Sequence, residues 1–281
     1  MREIQSRQIT EAVSRLFQDA CRFLPDDVVA AIKFARASEK SSVAAETLDK
    51  ILENADAAVK EGIPLCQDTG VAVVFLELGQ DAHIVGGSLN EAVNEGVREG
   101  YRLGFLRKSM VARPYSARTN TADNTPAVIH TDIVAGDGLR IVAMPKGGGA
   151  ENMTRLKMLT PAEGRQGVID FAVKTVEEAG SNPCPPVIVG VGIGGSAENA
   201  LLLSKRALLR EIGQPSSDSE TASLESEILR RVNNLGIGTM GYGGTVTALA
   251  VHVEVFPAHI ASLPVAVNLQ CHSARHREAV L

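Results

Sequence analysis

The chain has 281 residues, of which 44% are hydrophobic and 22% charged, with a net charge of −5. This composition fits a globular protein with a sizeable core and gives no long Lys/Arg run for a nucleic acid. The first residues, MREIQSRQITEAV, carry charges where a secretion signal needs an apolar stretch, and no segment reaches the ~18 apolar residues of a membrane span. A cytoplasmic protein, with neither nucleic-acid nor membrane partners, is expected.

In chain order, the first third reads as helical. Ile9, Val13, Leu16, Phe17 and Ala20 share one helix face, and Pro25-Asp26-Asp27 breaks that helix and starts the next. Ser41 or Ser42 caps a third helix that Gly62 closes. Residues 71–78, VAVVFLEL, form a strand, and a helix starts at Asn90. Residues 107–126 are polar, aperiodic and Pro-punctuated, and read as a long functional loop. AVIHTDIV and LRIVAM flank Gly136-Asp137-Gly138 and predict a hairpin, after which KGGG (146–149) opens a helical stretch. A helix with Pro161 near its start and Gly180 after its end comes next. A short buried strand, PPVIVGVG, two helices and the strands 245–255 and 263–270 complete the chain. The expectation is a single α/β domain over 1–281, with a helical N-terminal portion and a sheet-containing C-terminal portion.

Gly190, Gly192 and Gly195 spell G-x-G-x-x-G between an apolar run and a helical pattern, as a dinucleotide site would. The acidic residue near the required spacing, Glu211, falls in the following helix, and no second strand occupies its slot. A second fingerprint, Gly236, Gly238 and Gly241, precedes a strand instead of a helix. Neither has its supporting context. A tight turn, or bare N–H groups receiving an anion, is the better reading.

Four cysteines at positions 21, 66, 184 and 271 are too few and too scattered for a disulfide framework. Cys21 falls on the apolar helix face, as a buried small hydrophobe. Cys66, Cys184 and Cys271 stand in turns at element ends, where side chains can converge. Their spacing matches no zinc or ferredoxin pattern, so three unrelated loop cysteines stay open beside a shared metal. Arg107, Arg113, Arg118 and Lys146 can receive anionic groups. Asp68 is the one carboxylate close in sequence to a loop cysteine, and His252 sits mid-strand as a core residue would.

Five motifs, PLCQDTG (64–70), KGGGAENMTRLKMLTPAEG (146–164), NPCPPVIVGVGIGGSAE (182–198), LGIGTMGYGGT (235–245) and NLQCHSARH (268–276), occur in order. Together they resemble the class I fumarate hydratase family, in particular the alpha subunit of its two-subunit form. L-tartrate dehydratase, a sibling, shares the cysteine motifs. The resemblance implies a 4Fe–4S cluster held by Cys66, Cys184 and Cys271, with one iron not ligated by protein and acting as a Lewis acid on a dicarboxylate. It also implies substrate contacts from Gln67, Asp68, Arg107, Gly148, Gly149 and His252, with catalytic roles for Asp68 and His252. Single-chain members continue past the third cysteine into a smaller domain carrying a threonine base. A beta subunit supplying it, in an alpha2beta2 assembly, is therefore expected. Fumarate hydratase is the expected activity; rival readings are the L-tartrate dehydratase alpha subunit, a scaffold subunit that ligates a cluster through all four cysteines, and an NAD-binding domain.

Overall fold

The computed structural model describes residues 2–281. Their contacts fall into two compact units, one made of residues up to Pro25, Asn54–Gly148 and Arg275–Leu281, the other of Asp26–Glu53 and Gly149–Ala274. Both are α/β, as expected.

The first unit holds β1 (Arg2–Gln5), α1 (Ser6–Arg22), β2 (Val71–Gly79), β3 (Ala82–Val85), α4 (Leu89–Leu103), β4 (Val128–Val134), β5 (Leu139–Lys146) and β10 (Arg277–Val280). Helix α3 (Ser42–Glu61) lies between α2 (Asp26–Ser38) and β2 in sequence. β1 and β3 pair in parallel, and a four-stranded sheet runs β10-β5-β2-β4. The apolar face of α1 (Ile9, Val13, Leu16, Phe17) packs with α4 and the inward residues of β2 and β5 into one core. The long loop 107–126 contains no helix or strand of more than an isolated bridge, as expected.

The expected hairpin does not form. β4 and β5 each pair with β2, one parallel and one antiparallel, so β2 separates them. The Gly136–Gly138 turn joins strands that are two apart because the buried run Ala72–Leu76 belongs in the sheet interior.

The second unit holds α2, a single turn α5 (Gly148–Glu151), β6 (Arg155–Leu159), α6 (Gly164–Ala179), β7 (Val187–Gly195), α7 (Ala197–Ala207), α8 (Ser219–Asn233), β8 (Ala248–Ala258) and β9 (Leu263–Gln270). Its sheet runs β6-β9-β7-β8. The helical stretch expected after KGGG is one turn long, and the chain then enters β6 as an antiparallel partner of β9. Val187, Val189 and Val191 pack with α6 and α8. The opposite face of the same strand carries Ile188, Gly190 and Gly192.

Those two glycines lie inside β7 and not in a phosphate-binding turn. A Cβ at Gly190 would overlap the Ser204 carbonyl oxygen of α7, and one at Gly192 the Ala200 carbonyl oxygen. Their function is the close approach of helix to sheet, so the nucleotide reading loses its two leading glycines.

Candidate active-site loops

In the first unit, the segment 65–70 is irregular backbone tied on both sides of Cys66. On one side the Leu65 amide donates to the Cys21 carbonyl (2.8 Å), and Asn54 Nδ2 donates to the Leu65 carbonyl (2.8 Å). On the other, three successive carbonyls meet side-chain donors. Arg275 Nη1 donates to the Asp68 oxygen (2.6 Å). The Tyr101 hydroxyl reaches the Thr69 (2.8 Å) and Gly70 (3.0 Å) oxygens, and Asn124 Nδ2 donates to the latter (3.2 Å). Gly70 has φ +77° and packs on the Lys146 backbone, where a Cβ would stand 2.6 Å from the carbonyl carbon.

Asp68 is half-buried. Its Oδ1 accepts from the Gly70 amide (2.9 Å) and its Oδ2 from the Gly148 amide (2.8 Å). The Gly148 N–H, expected to face substrate, is thus given to this carboxylate. Each carboxylate oxygen keeps a second lone pair. Gln67 and Arg107 are exposed, and the Arg107 carbonyl accepts from Thr69 Oγ1 (3.1 Å). Lys146, at the end of β5, is fully buried.

Cys21 is fully buried in the α1–α4 core. Burial pushes its thiol up to about 11, against a smaller opposing influence from Arg275. A fully buried thiol in an apolar core packs as a small hydrophobe, the place the sequence reading gave it.

In the second unit, Cys184 stands between Pro183 and Pro185 with φ +56°, a region side chains other than glycine rarely occupy. Its carbonyl is approached by the His272 amide (3.4 Å) and by His272 Nδ1 (2.9 Å), and the Met240 amide donates to the Pro185 carbonyl (2.7 Å). Cys271 follows β9 directly, and residue 270 pairs with residue 188. The second-unit structure therefore brings the Cys184 and Cys271 turns together through His272. Gln270, which precedes Cys271, is buried with neither amide atom hydrogen-bonded. Gly149 is exposed and lies against the Asn182 carbonyl.

The remaining expected site residue, His252, lies in β8. It is buried on β8, its cross-strand neighbour in β7 is Gly190, and its Nδ1 lies 3.1 Å from the Ala207 carbonyl of α7. Burial, reinforced by Arg210, lowers its pKa to about 4. It packs beneath α7 as a neutral imidazole.

The donor chemistry suits thiolate ligation. None of the four cysteines forms a disulfide, and Cys66, Cys184 and Cys271 are all partly exposed in loops. Among the described residues no three His, Cys, Asp or Glu side chains gather for a single metal ion. Thiolates of an iron–sulfur cluster bind separate irons and stand farther apart than the ligands of one ion.

The sequence profile of fumarate hydratase (fumerase) matches residues 10–280. The chain belongs to the fumarate hydratase family. A relative from Methanocaldococcus jannaschii, named putative L(+)-tartrate dehydratase subunit alpha, is 42% identical over 277 residues, 95% of each chain. L(+)-tartrate dehydratase subunit alpha from Escherichia coli, in strains UTI89 and K12, is 33% identical over 98% of this chain and 90% of the relative. The family membership read from the five cysteine and glycine motifs is thereby borne out.

Sequence reasoning missed Tyr101, Asn124 and His272, which touch the two loops only through tertiary contacts. Arg275 stands in the NLQCHSARH motif, but nothing in the sequence singles it out there. No helix among the described residues is long and apolar enough to cross a membrane.

Proposed function

We propose that this chain is the alpha subunit of an iron–sulfur hydro-lyase that interconverts fumarate and L-malate, completed by a smaller beta subunit in an alpha2beta2 assembly. Membership of the fumarate hydratase family across residues 10–280 carries the reading. Three partly exposed loop cysteines outside any disulfide support it.

In this reading Cys66, Cys184 and Cys271 supply the thiolates of a 4Fe–4S cluster. Such a cluster, with one iron not ligated by protein, supplies a Lewis acid that lowers the pKa of a bound hydroxyl and eases C–O cleavage. The reaction removes the C2 hydroxyl and a C3 proton of malate as water, leaving the trans double bond. Arg107, an exposed cation, pairs with a substrate carboxylate, and Gln67 hydrogen-bonds the same dianion. Asp68, oriented by the Gly70 and Gly148 amides, offers its remaining lone pairs to the substrate hydroxyl. The base that takes the C3 proton, a threonine, comes from the beta subunit.

A second reading, L-tartrate as the diacid, is favoured by the names of the relatives from M. jannaschii and E. coli. The two are separated by anaerobic assay of the two-subunit enzyme on L-malate and L-tartrate. A kcat/KM at least about tenfold higher on malate, about 1.4 kcal/mol of discrimination, supports the first. The reverse ratio supports the second, and no turnover of either refutes both.

A further inference from the structure

The Cys66 loop has an unusual construction. Residues 65–70 form neither helix nor strand, yet the carbonyls of 68, 69 and 70 are all turned toward buried side-chain donors. All three donors are fully or almost fully buried residues from distant parts of the sequence, Tyr101 on α4, Asn124 in the 107–126 loop and Arg275 just before β10. Burial holds the Tyr101 phenol well above its ordinary pKa, so the hydroxyl keeps its proton and donates. It carries one proton and therefore serves the Thr69 and Gly70 carbonyls in turn. Arg275 cannot deprotonate and gives a charge-assisted bond to Asp68. Thr69 and Gly70 are buried, so their carbonyls are out of reach of water and are satisfied by these donors instead.

Beyond the ligands and substrate contacts of the proposed function, on which this rests, we infer that Tyr101 and Arg275 are positioning residues for the Cys66 thiol. By drawing three consecutive carbonyls into the core they fix the backbone on the C-terminal side of Cys66. The Leu65 bonds to Cys21 and Asn54 fix the N-terminal side. What lies between the two anchors is Cys66 and Gln67, the first half-buried and the second exposed. The local Asp68 Oδ1 to Gly70 amide turn is the competing explanation, since it could shape the loop unaided. Arg275 also follows Cys271 by four residues, so it belongs by sequence to the third cysteine motif and by bonding to the loop of the first.

The test uses the full-length chain in two states. In the metal-free chain, maleimide alkylation is mapped by mass spectrometry and the Cys66 rate is divided by that of Cys184, an internal reference. Tyr101→Phe and Arg275→Lys are expected to change this ratio severalfold. Phe17→Leu, at a ring that packs beside Tyr101 (centroids 5.8 Å) but has no polar atom to give to the loop carbonyls, should lower the melting temperature and leave the ratio alone. In the anaerobically reconstituted two-subunit enzyme, iron loss to a chelator should be at least about tenfold faster in Tyr101→Phe than in the unsubstituted enzyme, with an altered paramagnetic resonance spectrum. An unchanged Cys66/Cys184 ratio, or one that merely follows the melting temperature across all three variants, overturns the inference. A shifted ratio in a chain whose unsubstituted form takes up no iron and sulfide upholds the positioning role and defeats the cluster reading instead.

Discussion

The Cys66 loop and the Cys184 turn present the same side chain by opposite means. The Cys66 loop is held from outside, by donors on α4, on the 107–126 loop and beside β10. The Cys184 turn is shaped largely from within, by flanking prolines and a positive φ whose cost is about 1–3 kcal/mol, and His272 closes on its carbonyl. A loop built by remote donors is sensitive to substitutions far away in sequence. A turn built by its own backbone is sensitive mainly to its own residues.

The sharpest test of that contrast is cysteine replacement. Cys66→Ser, Cys184→Ser and Cys271→Ser should each reduce iron and acid-labile sulfide to background in the reconstituted enzyme. Cys21→Ala should leave the metal content intact while costing about 1–2 kcal/mol of stability from lost packing. Metal loss on Cys21→Ala would restore the four-cysteine scaffold.

Next in size is Gly190→Ala. The added methyl overlaps the α7 backbone, so a loss of about 3 kcal/mol in chemical denaturation is expected, with no heat of NAD binding in either form. A well-tolerated alanine together with measurable NAD binding would return β7 to the nucleotide reading.

The pH dependence follows from His252. Its folded pKa, about 4, lies below the unfolded value near 6.5, so the unfolded chain takes up the proton first as the pH falls. The folded state is then fully favoured above pH 6.5 and loses stability progressively down to about pH 4. Between pH 7 and pH 5 the loss is about 2 kcal/mol, and His252→Gln should remove that share of the slope in urea titrations. An identical slope in the variant would mean that His252 is not the buried neutral group described here.

The smallest effect belongs to a helix cap outside both cysteine segments. Asp218 caps α8, accepting from the Thr221 amide (2.8 Å) and hydroxyl (2.7 Å). Asp218→Ala should cost about 1 kcal/mol in thermal unfolding and leave iron content unchanged.

Much of the fold was legible from periodicity. The α1 face, the strand 263–270 and the α6 boundary with Gly180 as its cap all form where the pattern puts them. The four short strands β1, β3, β6 and β10 were not read, because four or five residues are too few to establish a hydrophobic period. The false hairpin shares that origin: a turn signal shows where the chain reverses, but not which strand it lies beside.

By itself, the sequence determined the family, the separation of Cys21 from three loop cysteines, and the helices and strands long enough to show a period. These depend on residues near one another in the chain and on which side chains prefer to leave water. Tertiary structure alone decided that Gly190 and Gly192 seat a helix, that His252 is buried beneath α7, and that Tyr101 and Arg275 grip the Cys66 loop. Each of those is a contact between elements far apart in sequence, and no local pattern encodes which distant donor or carbonyl a folded chain will bring within hydrogen-bond reach.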